Sequence, residues 1–188
     1  ANTISNFVLR AVDAASNTTS RAFSITVQND PTSTSFTSSG TFAVPTGMTV
    51  ADVLVVAGGG GSNSHPSHPI HRAGSSGGGA GGLIFMPEVP VTPQGTIAIT
   101  VGCGGPSGGQ DSIFGASPSP GTTEVLTAKG GGVGGSAYGN PGPYNDGGNG
   151  GSGGGSNRGS PSSSQGIQPT QPGNSGAYGF GNPGGTGS

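Results

Sequence analysis

Glycine fills 43 of the 188 positions, gathered almost wholly after Ala57 in runs such as Gly58-Gly59-Gly60-Gly61 and Gly77-Gly78-Gly79-Ala80-Gly81-Gly82. No conventional side-chain core can be built from such segments. Glycine gives up more backbone freedom on folding than any other residue, about 0.5–1 kcal/mol relative to alanine, so runs this dense are either unstructured or held by backbone hydrogen bonds. Strand-like segments at 53–56, 83–86 and 96–101 lie between the runs. They anchor both ends of each glycine excursion, which favours the hydrogen-bonded outcome; only the tail after Gly139 lacks such anchors.

In several runs two glycines precede one other residue. Gly78-Gly79-Ala80 is followed by Gly81-Gly82-Leu83, Gly131-Gly132-Val133 by Gly134-Gly135-Ser136, and 147–155 keeps the same register. A polyproline-II-type helix has three residues per turn, rises about 3.1 Å per residue and turns its polar backbone groups outward. Every third side chain then falls on one edge while the other two edges are bare backbone, free to exchange N–H···O=C and Cα–H···O contacts with neighbouring rods. Gly78, Gly79, Gly81, Gly82, Gly131, Gly132, Gly134 and Gly135 are therefore expected to form the packing surface of polyglycine-II rods. Collagen, with one glycine at every third position throughout, does not match.

Charged residues make up only 6% and the net charge is −2, against about a quarter charged in an ordinary soluble domain. The five basic residues are scattered at Arg10, Arg21, Arg72, Lys129 and Arg158, so no clustered surface is available to displace counterions from nucleic acid. No apolar stretch approaches the roughly 20 residues that span a bilayer, and membrane insertion is not expected. Cys103 is the single cysteine, which rules out an intrachain disulfide and reads as a small buried residue at a strand end.

Residues 4–28 read as two strands around a polar turn at 13–20, with Phe23, Ile25 and Val27 alternating with Ser24 and Thr26 so that one face is buried. This segment resembles the closing hairpin of immunoglobulin-like and cadherin-like modules of extracellular and virion proteins. The earlier strands of such a module are missing, which implies a longer protein or other chains completing the sheet. Residues 29–35 read as a linker, 36–138 as a glycine-rich β and polyglycine-II domain, and 139–188 as a polyglycine-II extension or a flexible tail. Prolines at 45, 87, 90 and 93 and the lack of any 3.6-residue stripe leave no α-helix. The fold class expected is all-β, a β-sandwich-like framework carrying glycine rods, with an irregular C-terminal third as one outcome.

The order 36–47, then 53–61, Gly78-Gly79-Ala80-Gly81-Gly82, Thr100-Val101-Gly102-Cys103-Gly104-Gly105, Gly109-Gln110-Asp111-Ser112-Ile113-Phe114-Gly115 and Ala128-Lys129-Gly130-Gly131-Gly132 resembles the glycine-rich domain common in bacteriophage tail and fibre proteins. Similar sheets of polyglycine-II helices occur in tip adhesins of T-even-like phages and in the ectodomain of the anaplastic lymphoma kinase family. The resemblance spans roughly residues 36–135. It implies a closing apolar strand after the last glycine run, and no such strand is legible before Ser188.

Chemistry is mostly refused. The segment 53–61 imitates a strand entering a phosphate loop, but a Gly-x-Gly-x-x-Gly frame would need glycine at Asn63 or Ser64, and the following His65-Pro66-Ser67-His68-Pro69 opens no helix. His65, His68 and His71, spaced by three residues, would each stand about 9 Å from the next on an extended helix, too far for one ion that holds nitrogens at about 2.0–2.1 Å. The carboxylates Asp13, Asp30, Asp52, Glu88, Asp111, Glu124 and Asp146 show no paired spacing, and Asp111 reads as a turn cap before Ser112. No catalytic residue, metal or cofactor is expected, and the chain is not read as an enzyme. The expectation is a structural and receptor-binding component of a phage tail fibre, spike or other virion appendage. Its partners would be other copies of itself, other virion proteins and a host-surface glycan or protein. A secreted or surface-anchored cellular adhesin is the main alternative and an ice-binding protein the weaker one. Receptor contact is expected on the loops that interrupt the rods, principally 62–72 with His65, His68, His71 and Arg72, and secondarily 117–123 and 138–144, the latter with Tyr138 and Tyr144.

Overall fold

The computed structural model describes residues 3–27, 33–62, 75–136, 146–157, 162–168 and 179–187. Among these the secondary structure is all β, nine strands without a helix, and the chain divides into two compact units, Ala1–Ser35 and Phe36–Ser188.

The first unit is an antiparallel hairpin of β1 (Thr3–Val12) and β2 (Thr18–Val27), with Phe7 opposite Phe23 and Leu9 opposite Arg21. Its turn is shorter than the sequence reading. The Asp13 carboxylate accepts the amides of Ala15 at 2.9 Å and Asn17 at 2.8 Å and the Asn17 side-chain amide at 2.8 Å, with Ser16 at φ 64°. The strand can therefore restart at Thr18. The Asn17 side chain, seconded by backbone N–H groups, holds the Asp13 carboxyl below the ordinary carboxylate range. The face expected to be buried is not. Phe23 and Ile25 remain exposed, because a two-stranded ribbon supplies no second layer. The Phe7 and Phe23 rings stack at 5.5 Å on its surface.

The second unit is a small sandwich. One sheet has the order β3-β6-β7-β8, from Gly40–Ala43, Thr96–Thr100, Ser112–Ala116 and Leu126–Ala128. The other has the order β4-β5-β9, from Val50–Val56, Leu83–Pro90 and Gly179–Phe180. Alternation sends Val53, Val55, Ile84 and Met86 inward from one sheet, with Val89 following after a one-residue slip in β5, to meet Ile97, Phe114, Leu126 and Ala128 from the other. Two irregularities bend these strands. Gly115, at φ 82°, is the extra residue between the pairs Ala98–Ala116 and Ile99–Phe114, a bulge position that glycine fills without strain. Between Ala51 and Val53 the register also breaks, and there the Asp52 carboxylate accepts the Glu88 amide at 2.9 Å.

A closing strand does exist. β9 pairs with β5, placing Phe180 opposite Leu83 and Gly179 opposite Ile84. Only two residues long and only one of them apolar, it carries no alternating pattern for a sequence reading to detect.

Candidate functional site

Six strands run on into glycine segments at one end of the sandwich: β4 into 57–61, β6 into 102–105, β8 into 129–135 and β9 into 181–185, while 76–82 leads into β5 and 109–111 into β7. The ladder continues across this change, but its step lengthens from two residues to three. Val56 faces Leu83 in the sheet. Ala57 N then donates to Gly82 O at 3.0 Å, and the next bond is Gly60 N to Gly79 O at 2.8 Å.

The three-residue step recurs throughout. Ser76, Gly79 and Gly82 donate to Gly135, Gly132 and Lys129 at 3.0, 2.7 and 2.7 Å. Gly131 and Gly134 donate to Gly58 and Gly61 at 2.9 and 3.0 Å, and Gly132 and Gly135 to Ser152 and Gly155 at 3.0 and 2.8 Å. Gly148 and Gly151 donate to Val133 and Gly130, each at 2.7 Å. Segment 129–135 is thus bonded on five sides, to 57–61, 76–82, 109–111, 147–151 and 152–156. A β-strand has two bonded edges; a threefold screw points polar groups in three directions and can be surrounded.

Nine such segments form a triangular lattice when every bonded pair is made adjacent: a row of 102–105, 57–61 and 76–82, a row of 109–111, 129–135, 152–156 and 182–185, and a row of 147–151 and 164–167. The described residues after 139 are therefore an integral part of the array.

Steric room explains the two-glycine register. A Cβ on Gly78 would overlap Gly60 O, on Gly79 Ser152 O, on Gly81 Ala57 O, on Gly131 Gly79 O, on Gly132 Gly148 O and on Gly134 Ser76 O. A Cβ on Gly82 would meet the Gln168 side chain, whereas Gly77 has nothing within 4 Å. Gly135 is buried and bonded to both Gly155 and Ser76. Of the third positions, Ala80 and Leu83 on one rod and Val133 on another stay partly or fully exposed, while Ser136 is buried.

Side chains tie the rods where backbone bonds run out. Asp111 Oδ2 accepts Lys129 Nζ at 2.6 Å and Oδ1 accepts Gly130 N at 2.8 Å, so Asp111 joins two rods instead of capping a turn. Partial burial pushes its carboxyl up, but the Lys129 ammonium and the Gly130 N–H outweigh this and hold it below the ordinary carboxylate range. Gln168 acts as a substitute strand at the edge of β8: its Oε1 accepts Lys129 N at 2.8 Å and its Nε2 donates to Thr127 O at 3.0 Å. The Ser156 hydroxyl accepts Gly147 N at 3.1 Å and donates to Ser162 O at 2.7 Å, and the Ser164 hydroxyl donates to Gly154 O. Nothing in the spacing of Gln168, Ser156 or Ser164 marks them in the sequence, because their partners are 6 to 41 residues away.

Cys103 is exposed, which corrects its reading as a buried residue. It occupies the edge rod of the lattice, where its carbonyl accepts Gln110 N at 2.9 Å and only its backbone is packed. The amides of Gly58, Gly60 and Gly61, the ones a phosphate would need, donate instead to Gln110, Gly79 and Gly105. Among the described residues no three metal-ligating side chains come together. His65, His68, His71, Arg72, Tyr138 and Tyr144 lie outside the described residues.

The flanks of these segments are described, and they converge. Segment 57–61 runs parallel to 129–135, and 76–82 antiparallel to both; 147–151 is antiparallel to 129–135 and 152–156 parallel to it. The chain accordingly leaves the array at Ser62, Ser136 and Asn157 and returns at Ser75, Asp146 and Ser162, all at the end away from the sandwich. The 105–108 turn, bonded from Gly108 N to Gly105 O at 3.2 Å, is at this end too.

No curated protein and no solved structure matches the chain. The family model of the glycine-rich domain matches residues 34–188, the whole of the sandwich and its rods, and the chain belongs to that family.

Proposed function

We propose that the chain is a non-enzymatic display element of a virion appendage, a phage tail fibre or spike, in which the sandwich and rods form a rigid base and the segments 63–74, 137–145 and 158–161 make contact with a cell-surface receptor. The observation that carries this reading is the convergence of their six flanking residues on one end of the array. Rods bonded to several neighbours resist bending, and side chains there can vary without disturbing the packing beneath them. The residues involved, His65, His68, His71, Arg72, Tyr138 and Tyr144, supply imidazole, guanidinium and phenol groups in a chain otherwise poor in them. A secreted or surface-anchored cellular adhesin would use the same end in the same way.

The test is binding of the fluorescently labelled 188-residue chain to a glycan array and to a panel of bacterial cells by flow cytometry. Replacing His65, His68, His71 and Arg72 together by serine is expected to abolish binding while leaving the melting temperature unchanged. Absence of binding by the unsubstituted chain would assign it a spacer role, and binding that survives both this variant and Tyr138→Ala with Tyr144→Ala would overturn the placement of receptor contact on these segments.

A further inference from the structure

The outer face of the β4-β5-β9 sheet is apolar. Leu54, Val56 and Phe180 are 61%, 53% and 55% exposed, and Phe85 is 40% exposed. The register makes them one surface, since Leu54 is opposite Phe85, and Val56, Leu83 and Phe180 form a row across the three strands. The surface continues onto the rods in steps of three, from Leu83 to Ala80 and Gly77 and from Val56 to Gly59. A Cβ on Gly77 would meet nothing within 4 Å, and one on Gly59 only Gly79 O at 3.8 Å. The internal packing of the chain therefore does not require glycine at either place. Glycine there keeps the face flat. Charge is confined to its far margin, where Asp52 and Glu88 are exposed beside the register break.

We infer that this face is a self-association surface occupied by a second copy of the chain. The four large side chains leave roughly 400 Å² of apolar area exposed, taking about 150–250 Å² for a large side chain. That falls within the range of about 300–600 Å² for the largest patch on a typical monomer, a patch that is often functional. A standard interface takes about 800 Å² from each partner, of which about 56–65% is apolar. The four side chains supply most of that apolar share, and the exposed alanine and glycine extension at Ala80, Gly77 and Gly59 adds flat surface beside them. An uncharged centre offers nothing to a partner chosen by charge, but it lets two identical faces meet about a twofold axis without bringing like charges together. The acidic margin then forms the polar rim of the interface.

The test is sedimentation velocity of the 188-residue chain from about 1 to 100 µM. The wild type is expected to dimerise within this range, and Leu54→Lys with Val56→Lys to weaken the association by about 100-fold or more at an unchanged melting temperature. Leu54→Thr with Val56→Thr, which keeps β-branched residues in the strand, is expected to weaken it by about tenfold and guards against a folding defect in the lysine variant. A wild type that stays monomeric throughout would overturn the inference. So would a dimer that survives the lysine pair, including one lost only on Phe7→Lys with Phe23→Lys, which would assign association to the hairpin.

Discussion

Gly79 gives its amide to the carbonyl of Gly132 at 2.7 Å, across 53 residues of chain, and the same contact is repeated three residues away on either side, at Ser76–Gly135 and Gly82–Lys129. Two rods meet here with no side chain between them. At this distance a single methyl group has nowhere to go, and the fold depends on its absence at particular positions.

Gly79→Val and Gly132→Val are each expected to destabilise the second unit by about 3 kcal/mol or more, because backbone atoms of neighbouring rods must move apart and their hydrogen bonds go with them. Gly77→Val, on the same rod but facing open space, should change stability by less than about 0.5 kcal/mol. Chemical denaturation of the three variants checks the contrast; equal losses at Gly77 and Gly79 would mean that the cost comes from glycine propensity alone.

The Asp111–Lys129 pair should make the unit acid-sensitive. A carboxyl whose value is lowered in the folded state contributes stability above its unfolded value of about 3.9, and that contribution is lost as the pH falls through the folded value. Wild type should therefore melt above Asp111→Asn at neutral pH, by the equivalent of less than about 1 kcal/mol since both side chains are more than a third exposed. The two curves should converge only as the pH falls below the ordinary carboxylate range and Asp111 takes up its proton in the folded chain, as followed by calorimetry.

Gln168→Ala should release the edge of β8. With the side-chain amide gone, Lys129 N and Thr127 O lose the partners at 2.8 and 3.0 Å, and the loss is expected to be about 1 kcal/mol. Hydrogen exchange at the Lys129 amide should quicken in the variant while exchange at Gly79 stays slow. Unchanged exchange at Lys129 would show that Gln168 does not cover that edge.

The native chain should react with a thiol reagent at Cys103 without denaturant, and at the same final extent as the unfolded chain. Protection of the thiol would restore the buried reading that the sequence favoured.

Much of the architecture is legible before any coordinates. The apolar runs 53–56 and 83–86 mark two strands, but with every residue apolar they do not say which face is buried, and only the packing picks out Val53, Val55, Ile84 and Met86. The spacing of Ala80, Leu83 and Val133 gives the rod register, because only one residue in three has room for a side chain. Other features are settled by contacts that leave no local trace. Asp111 follows Gln110 and precedes a strand, as a turn cap would, yet its partners are Lys129 and Gly130 on another rod. Cys103 is flanked by small residues, as buried cysteines often are, but its segment forms the lattice edge. β9 escapes notice since Gly179–Phe180 has no period to read. The hairpin face at Phe23 and Ile25 shows the converse: alternation indicates a side that is suited to burial, and the first unit contains no second layer to bury it.

The most direct test of the three-residue lattice is NMR detection of couplings across its hydrogen bonds in the isotopically labelled chain. Correlations from the amide nitrogens of Ser76, Gly79 and Gly82 to the carbonyl carbons of Gly135, Gly132 and Lys129 are expected, together with those from Gly131 and Gly134 to Gly58 and Gly61. Correlations spaced by two residues, or fast exchange of these amides with no correlation at all, would contradict a bundle of polyglycine-II rods.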